Sequence, residues 1–177
     1  MRINTPFKSK LGKNKLKMQS LESYSLKISP SNFAAGVYPV CLKTKKILLC
    51  KRGPKLETEP NKWCNLGGKS NPYETPYENA VREFFEESGR YIPIKLIQFL
   101  VSEKKDGFKY YNFIGLVDYE FIPVTNKLTV DFEVEISDYK WLTLDEFFKF
   151  PAKDLHWGAE LFRKECKKQL LELFGPK

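Results

Sequence analysis

Glu83, Glu86 and Glu87 stand three and four residues apart within GKSNPYETPYENAVREFFEESG, residues 68–89. On a helix, side chains at those spacings share neighbouring turns of one face, and like charges there repel by a few tenths of a kcal/mol per pair. A cation would relieve that repulsion. Carboxylate oxygens suit Mg2+ or Mn2+, and Mg2+ is commonly held by a few carboxylates, waters and a substrate phosphate. The trio thus points to metal-assisted chemistry on a phosphate. By itself it leaves open the alternative of a solvated acidic helix face.

The flanking residues supply the helix. Thr75 with Glu78 three positions on makes a capping box, Pro76 takes the first helical position, where a missing N–H costs nothing, and Gly89 stops the run. Tyr77, Ala80, Val81, Phe84 and Phe85 form an apolar stripe at helical spacing. The stripe is expected to be buried, with Arg82, Glu83, Glu86 and Glu87 along its edge and Arg82 in reach of Glu78 and Glu86. Upstream, Trp63, Cys64, Asn65 and Leu66 read as a short strand. It runs into a turn at Gly67, Gly68 and Lys69, where backbone without a Cβ can approach a ligand closely.

Gly68, Glu74, Arg82, Glu83, Phe84, Glu86, Glu87 and Gly89 fall in the register G-x5-E-x7-R-E-U-x-E-E-x-G-U, with U apolar. By this box the chain resembles the Nudix hydrolases of the MutT type. Arg90 departs from the last, apolar position. A looser likeness extends over residues 33–150. The resemblance implies an α/β fold, the Nudix α/β/α sandwich with a mixed sheet. It also implies hydrolysis of a nucleoside diphosphate linked to another group X, by attack of water on phosphorus.

Roles follow from the resemblance residue by residue. Glu83, Glu86 and Glu87 would hold Mg2+ or Mn2+ and carry the catalysis, with the Gly67 carbonyl as a further ligand. Arg82 and Glu74 would pair and orient Glu83, and Arg52 and Lys69 would contact substrate phosphate. For a downstream base or extra ligand, Glu135 ranks ahead of Glu133; alternation puts both on one face of a strand, whose outward polar face is the alternative. Phe33, Tyr38, Phe108, Tyr110 and Tyr111 are the rings available to stack a base, with ordinary core packing as the competing use. A pyrophosphate repels an anionic nucleophile, so activity is expected to vanish without metal.

The rest of the chain reads as a single domain. At 177 residues and 42% hydrophobic composition it can bury one core of ordinary size, and no run approaches the ~20 apolar residues of a membrane helix. Residues 34–42 and 46–52 read as strands joined by a Lys-Thr-Lys turn, and residues 53–60 as a loop. Residues 94–103 and 108–120 read as a hairpin, with strand pairing resuming over residues 128–141. A short helix is expected from Asp145 and a long one over residues 155–174, packed through Leu161, Leu170, Leu171, Leu173 and Phe174. Cys41, Cys50, Cys64 and Cys166 lack C-x-x-C spacing and read as reduced structural thiols of a cytoplasmic protein. The single histidine, His156, reads as a surface or packing residue without a partner.

Residues 1–32 carry seven Lys/Arg against Glu22 alone, a net +6 of the chain's +8. They read as a flexible basic arm ahead of a domain over residues 33–177, able to attract RNA or to remain a solvated tail. Two further activities of the same box therefore stay open: an RNA 5′-end enzyme acting on a cap or triphosphate, and a catalytically silent nucleotide sensor. An isopentenyl diphosphate isomerase-like reaction is disfavoured, because the box is complete and the histidine and cysteine pairing it wants is not evident. The identity of X is not written in the chain. Pro93 falls too early for an ADP-ribose mark, Tyr110 and Tyr111 fall late for a dinucleoside polyphosphate mark, and SQPWPFPxS is absent.

Overall fold

The computed structural model describes residues 33–89, 92–104, 106–125, 128–129 and 133–175. The basic arm, Arg90 and Tyr91 lie outside them. The described residues form seven strands and four α-helices. In chain order these are β1 (Phe33–Cys41), β2 (Lys46–Arg52), β3 (Trp63–Cys64), β4 (Leu66–Lys69), α1 (Pro76–Ser88), β5 (Lys95–Glu103), β6 (Lys109–Val117), β7 (Ile136–Thr143), α2 (Leu144–Lys149), α3 (Trp157–Glu165) and α4 (Lys167–Phe174).

All strands join one mixed sheet whose main path runs β3-β2-β1-β6-β5, with β4 added against β1 and β7 against β2. At its centre β1 runs parallel to β6 in register from Phe33 opposite Lys109 to Cys41 opposite Val117. Every residue of β1 is buried, as its near-continuous apolar sequence requires of a strand covered on both faces. Strand alternation sends Phe33, Ala35, Val37, Leu48 and Phe113 to one side, where α1 covers them with Ala80 and Phe84. Tyr38, Val40, Ile47, Leu49 and Ile114 go to the other, under Phe147 of α2, Phe162 of α3 and Leu170 of α4. Helices on both faces of a mixed sheet make the α/β/α sandwich that the box implied.

One strand exchange positions the site. β1 pairs with β2 only at Val40 and Cys41, while its other end, Ala34 to Val37, pairs antiparallel with β4. β2 meanwhile pairs with β3 at Cys50 and Lys51. The chain therefore crosses at the buried Asn65 from β2 to β1, opening the sheet between them.

Three expectations change. Gly67 and Gly68 lie within β4 rather than in a turn, Gly67 against the β1 backbone and Gly68 against the Glu83 carboxylate, each closer than a side chain allows. Residues 155–174 form two helices, broken at Cys166 (φ −90°, ψ 5°). The break keeps Phe162, Cys166 and Leu170, four residues apart, in the core and leaves Leu171 48% exposed. Finally, β7 begins at Ile136, so Glu133 and Glu135 precede the strand instead of alternating on it. The β2–β7 register shifts between Lys51 and Arg52, and Gly53 N–H bonds the Glu135 carbonyl at 3.0 Å, which ends regular pairing there.

Candidate active site

Helix α1 begins and ends as its sequence dictates. Thr75 Oγ1 accepts from Glu78 N–H at 3.2 Å while the Glu78 carboxylate accepts from Thr75 N–H at 2.8 Å. Gly89 closes the helix at φ 68°, its N–H on the Phe85 carbonyl. Glu78 is thus spent on the cap and not on Arg82. The segment after β6 holds the helix end through Val124 N–H on the Glu87 carbonyl at 2.7 Å.

Arg82 organises the acidic edge. Its Nε and Nη2 donate to the two Glu74 oxygens at 2.6 and 3.1 Å, a bidentate pair. Nη1 lies 2.9 Å from Glu83 Oε1 and donates to Glu86 Oε1 at 3.3 Å, and Nη2 also donates to the Lys69 carbonyl at 3.1 Å. The bond from Arg82 holds the Glu74 carboxyl below the usual range. Asn79 supports the same corner, donating to the Lys69 carbonyl at 3.2 Å.

The carboxylates do not all sit at an exposed edge. Glu83 and Glu87 are 7% and 4% exposed, whereas the Glu86 side chain is 44% exposed. Burial pushes Glu83 up to about 7, with Glu86 and Glu135 adding repulsion and Arg82 opposing. Glu135 is therefore near Glu83 despite lying outside β7. Gly68 explains how Glu83 is admitted: a Cβ there would stand 2.6 Å from Glu83 Oε1.

Among the described residues, no group of three Asp, Glu, His or Cys side chains converges on one point as they stand. Arg82 lies between Glu83 and Glu86. In donor chemistry the set nevertheless fits a hard divalent cation: Glu83, Glu86, Glu87 and Glu135 offer oxygen only. Burial is the main cause of the raised Glu83 carboxyl and Glu86 and Glu135 add to it, a penalty on the charged form that a nearby cation would offset.

The family model of the NUDIX domain matches residues 30–164. The chain belongs to the Nudix family. A search of curated protein sequences gave no significant match. Among solved structures, a Nudix hydrolase from M. Smegmatis is 20% identical, with 84% of this chain and 91% of that chain covered and a TM-score of 0.63. The MutT protein from Methanosarcina mazei Go1 is 23% identical over 82% of this chain and 98% of its own, with a TM-score of 0.59. A C. elegans Ap4A hydrolase is 16% identical over 78% and 98%, with a TM-score of 0.58. These likenesses establish the Nudix fold. Among the described residues no helix is long and apolar enough to cross a membrane.

The remaining residues proposed from sequence separate within this Nudix frame. Arg52 is half-buried, its Nε and Nη2 donating to the carbonyl and hydroxyl of Thr58 at 3.0 Å each, and it also reaches the Cys64 thiol. Burial raises that thiol to about 12 despite Arg52, so Cys64 is a neutral neighbour and not a nucleophile. Lys69 has an exposed side chain at the end of β4. Two of the rings are removed from base stacking. Phe33 is 4% exposed and packs edge-on to Tyr111 at 5.5 Å; Tyr38 is fully buried and stacked on Phe162 at 3.8 Å.

Tyr110 is half-buried and tied down. Its hydroxyl donates to Asn65 Oδ1 at 2.8 Å and occupies the space above Gly36 and Gly67, where a Cβ on either glycine would lie 2.7 Å from it. Asn65 Nδ2 donates to Asn112 Oδ1 at 3.4 Å, and Asn112 Nδ2 to Ser102 Oγ at 3.3 Å. This buried polar chain joins β5 and β6 to the crossing that presents Gly67. Its signal in the sequence is an asparagine inside each of two apolar strand segments, residues 63–66 and 110–116.

His156 also has partners, contrary to the expectation. Its Nδ1 accepts from Gly158 N–H at 3.1 Å, capping α3, and its Nε2 lies 3.0 Å from Glu59 Oε2. Burial lowers it to about 3, with Arg52 and Lys104 reinforcing the effect. Glu59 also accepts from Trp157 N–H at 3.2 Å, fastening the loop after Arg52 onto the start of α3.

Proposed function

We propose that this protein is a metal-dependent Nudix pyrophosphohydrolase, cleaving a nucleoside diphosphate linked to another group X. The observation that carries the reading is the carboxylate edge of α1: Glu83 and Glu87 are buried beside a glycine strand that admits the Glu83 carboxylate, and Glu86 is exposed next to them. Glu83, Glu86 and Glu87 would hold Mg2+ or Mn2+, with Glu135 as a further ligand or base and the Gly67 carbonyl as a backbone ligand. The cation, when bound, neutralises diphosphate charge and lowers the pKa of a water that can attack phosphorus.

The chain's own residues do the positioning. Arg82 would hold Glu83 near Glu74 and keep Glu86 in reach, and its Nη1 contacts to Glu83 and Glu86 would yield as the carboxylates converge on the cation. Arg52, held by Thr58 beside Cys64, would supply a donor to phosphate oxygen if the Thr58 contacts yield. Lys69 would add an exposed cation at the end of β4.

The test is product release from nucleoside triphosphates, ADP-ribose, dinucleoside polyphosphates, nucleotide sugars and capped or triphosphorylated RNA, in Mg2+, Mn2+ or EDTA, alongside Glu87→Gln. Metal-dependent cleavage of one class, lost in the variant, is the expected result. Cleavage that persists in EDTA or in Glu87→Gln would overturn the assignment.

A further inference from the structure

Trp157 opens α3 with a half-buried indole. Its backbone is fixed at the root by Glu59, and Tyr110 presents an edge to it at 6.3 Å between centroids. Above the indole sits an ammonium: Lys104 Nζ is 4.9 Å from the Trp157 ring centroid and 5.9 Å from that of Phe108. Lys104 is exposed, so this cation–π contact leaves with little cost when a planar ligand competes for the ring. The other two indoles have no such face to offer. Trp63 is 6% exposed under Lys140, and Trp141 packs against the core with the Phe121 ring at 5.5 Å.

We propose that Trp157, Tyr110, Phe108 and Lys104 form a subsite for the aromatic base of a nucleoside phosphate. The proposal rests on the reading of the site as one for nucleotides, and it replaces Phe33 and Tyr38, which the core has absorbed. Tyr110 links the subsite to the carboxylates: its hydroxyl lies over Gly67, and Gly68 next in the chain meets Glu83. A base stacked on the indole contributes roughly ten- to one-hundredfold in affinity.

The test is an NMR titration of the intact protein in EDTA with AMP and with ribose 5-phosphate, following the three tryptophan indole N–H signals. AMP is expected to shift the Trp157 signal and to bind at least tenfold more tightly than ribose 5-phosphate, with Trp63 and Trp141 unmoved. Trp157→Ala should erase that preference, and Trp157→Phe, which keeps a ring, should restore most of it. Equal binding of the two ligands, absence of AMP binding, or a preference that survives Trp157→Ala would each overturn the proposal. If Trp157→Ala does not fold, Lys104→Glu decides: AMP binding unchanged by that reversal of charge would overturn the subsite. Turnover and metal play no part here. Failure of the Glu87→Gln experiment therefore leaves this one standing, and the converse holds too.

Discussion

Replacing Arg82 by alanine removes the hub of the acidic edge, and the contacts around it bound the loss of stability. The bidentate pair with Glu74 has side chains 26% and 17% exposed, between the exposed pairs worth about 0–1 kcal/mol and the buried ones whose breaking costs about 3–5 kcal/mol. The bond to the Lys69 carbonyl adds roughly 0.5–1.5 kcal/mol. A destabilisation of about 2–3 kcal/mol is expected, which for a chain of this size lowers Tm by roughly 5–10 °C. Glu83 makes the cost depend on pH. Its folded pKa, pushed up to about 7 by burial, lies above its unfolded value, so its contribution favours folding at low pH and is lost as pH rises through about 7.

Without Arg82 to oppose burial, that pKa moves higher and the loss continues above pH 7, where the parent's has levelled off. The variant should therefore be hurt more at pH 8.5 than at pH 6, by about 1 kcal/mol. Urea and thermal unfolding in EDTA at the two pH values measure both quantities. A loss under about 0.5 kcal/mol at each pH would show that the cluster is solvated and that Arg82 does not hold the carboxylates.

Other substitutions probe separate parts of the same architecture. Gly68→Ala puts a Cβ against the Glu83 carboxylate and should cost about 1–3 kcal/mol together with most of the Mn2+ affinity, read by urea unfolding and calorimetric titration; unchanged Mn2+ binding would sever Glu83 from the metal site. Glu87→Gln should keep its circular dichroism and lose several orders of magnitude in turnover, since only one carboxylate is neutralised. His156 has a folded pKa near 3, below its unfolded value, so its contribution is present above about pH 6.5 and lost as pH falls toward 3; His156→Asn, which keeps a capping acceptor without titrating there, should flatten the stability profile in that window. Tyr38→Phe should be neutral or stabilising by about 1 kcal/mol in thermal unfolding, because the hydroxyl is buried without a hydrogen bond among the described residues and the ring keeps its stack on Phe162.

What was legible in the sequence is what local chemistry determines. The α1 caps, the box register and the β1–β2 and β5–β6 hairpins depend on residues a few positions apart, and they stand as read. The long C-terminal helix failed because no Gly or Pro marks the break at Cys166; of Leu161, Leu170, Leu171, Leu173 and Phe174, Leu170 is fully buried and Leu173 and Phe174 pack against the same core, while Leu171 is left exposed. The rings failed for a related reason: Phe33 and Tyr38 sit on strands near the site, but alternation in a doubly covered sheet sends them to opposite cores, and neither face is free.

The site beyond the box hides in pairings that no local pattern encodes. Tyr110 meets Asn65, Glu59 meets His156 and Trp157, and Glu135 nears Glu83, each between segments far apart in the chain. The first of these depends on the crossing at Asn65, where the chain leaves β2 for β1. A buried asparagine and a tyrosine hydroxyl are poor choices for stability alone, since apolar residues of like volume would cost less desolvation. Their bonds can be met only if β4 lies against β1 with Gly67 facing Gly36, and a slip of one residue would turn Gly67 away and bring a side chain into the gap. The polar chain therefore serves register more than stability. It holds Gly67 beneath Tyr110 and Gly68 against Glu83, so the residues that fix the crossing also fix the distance between the carboxylates and the aromatic subsite.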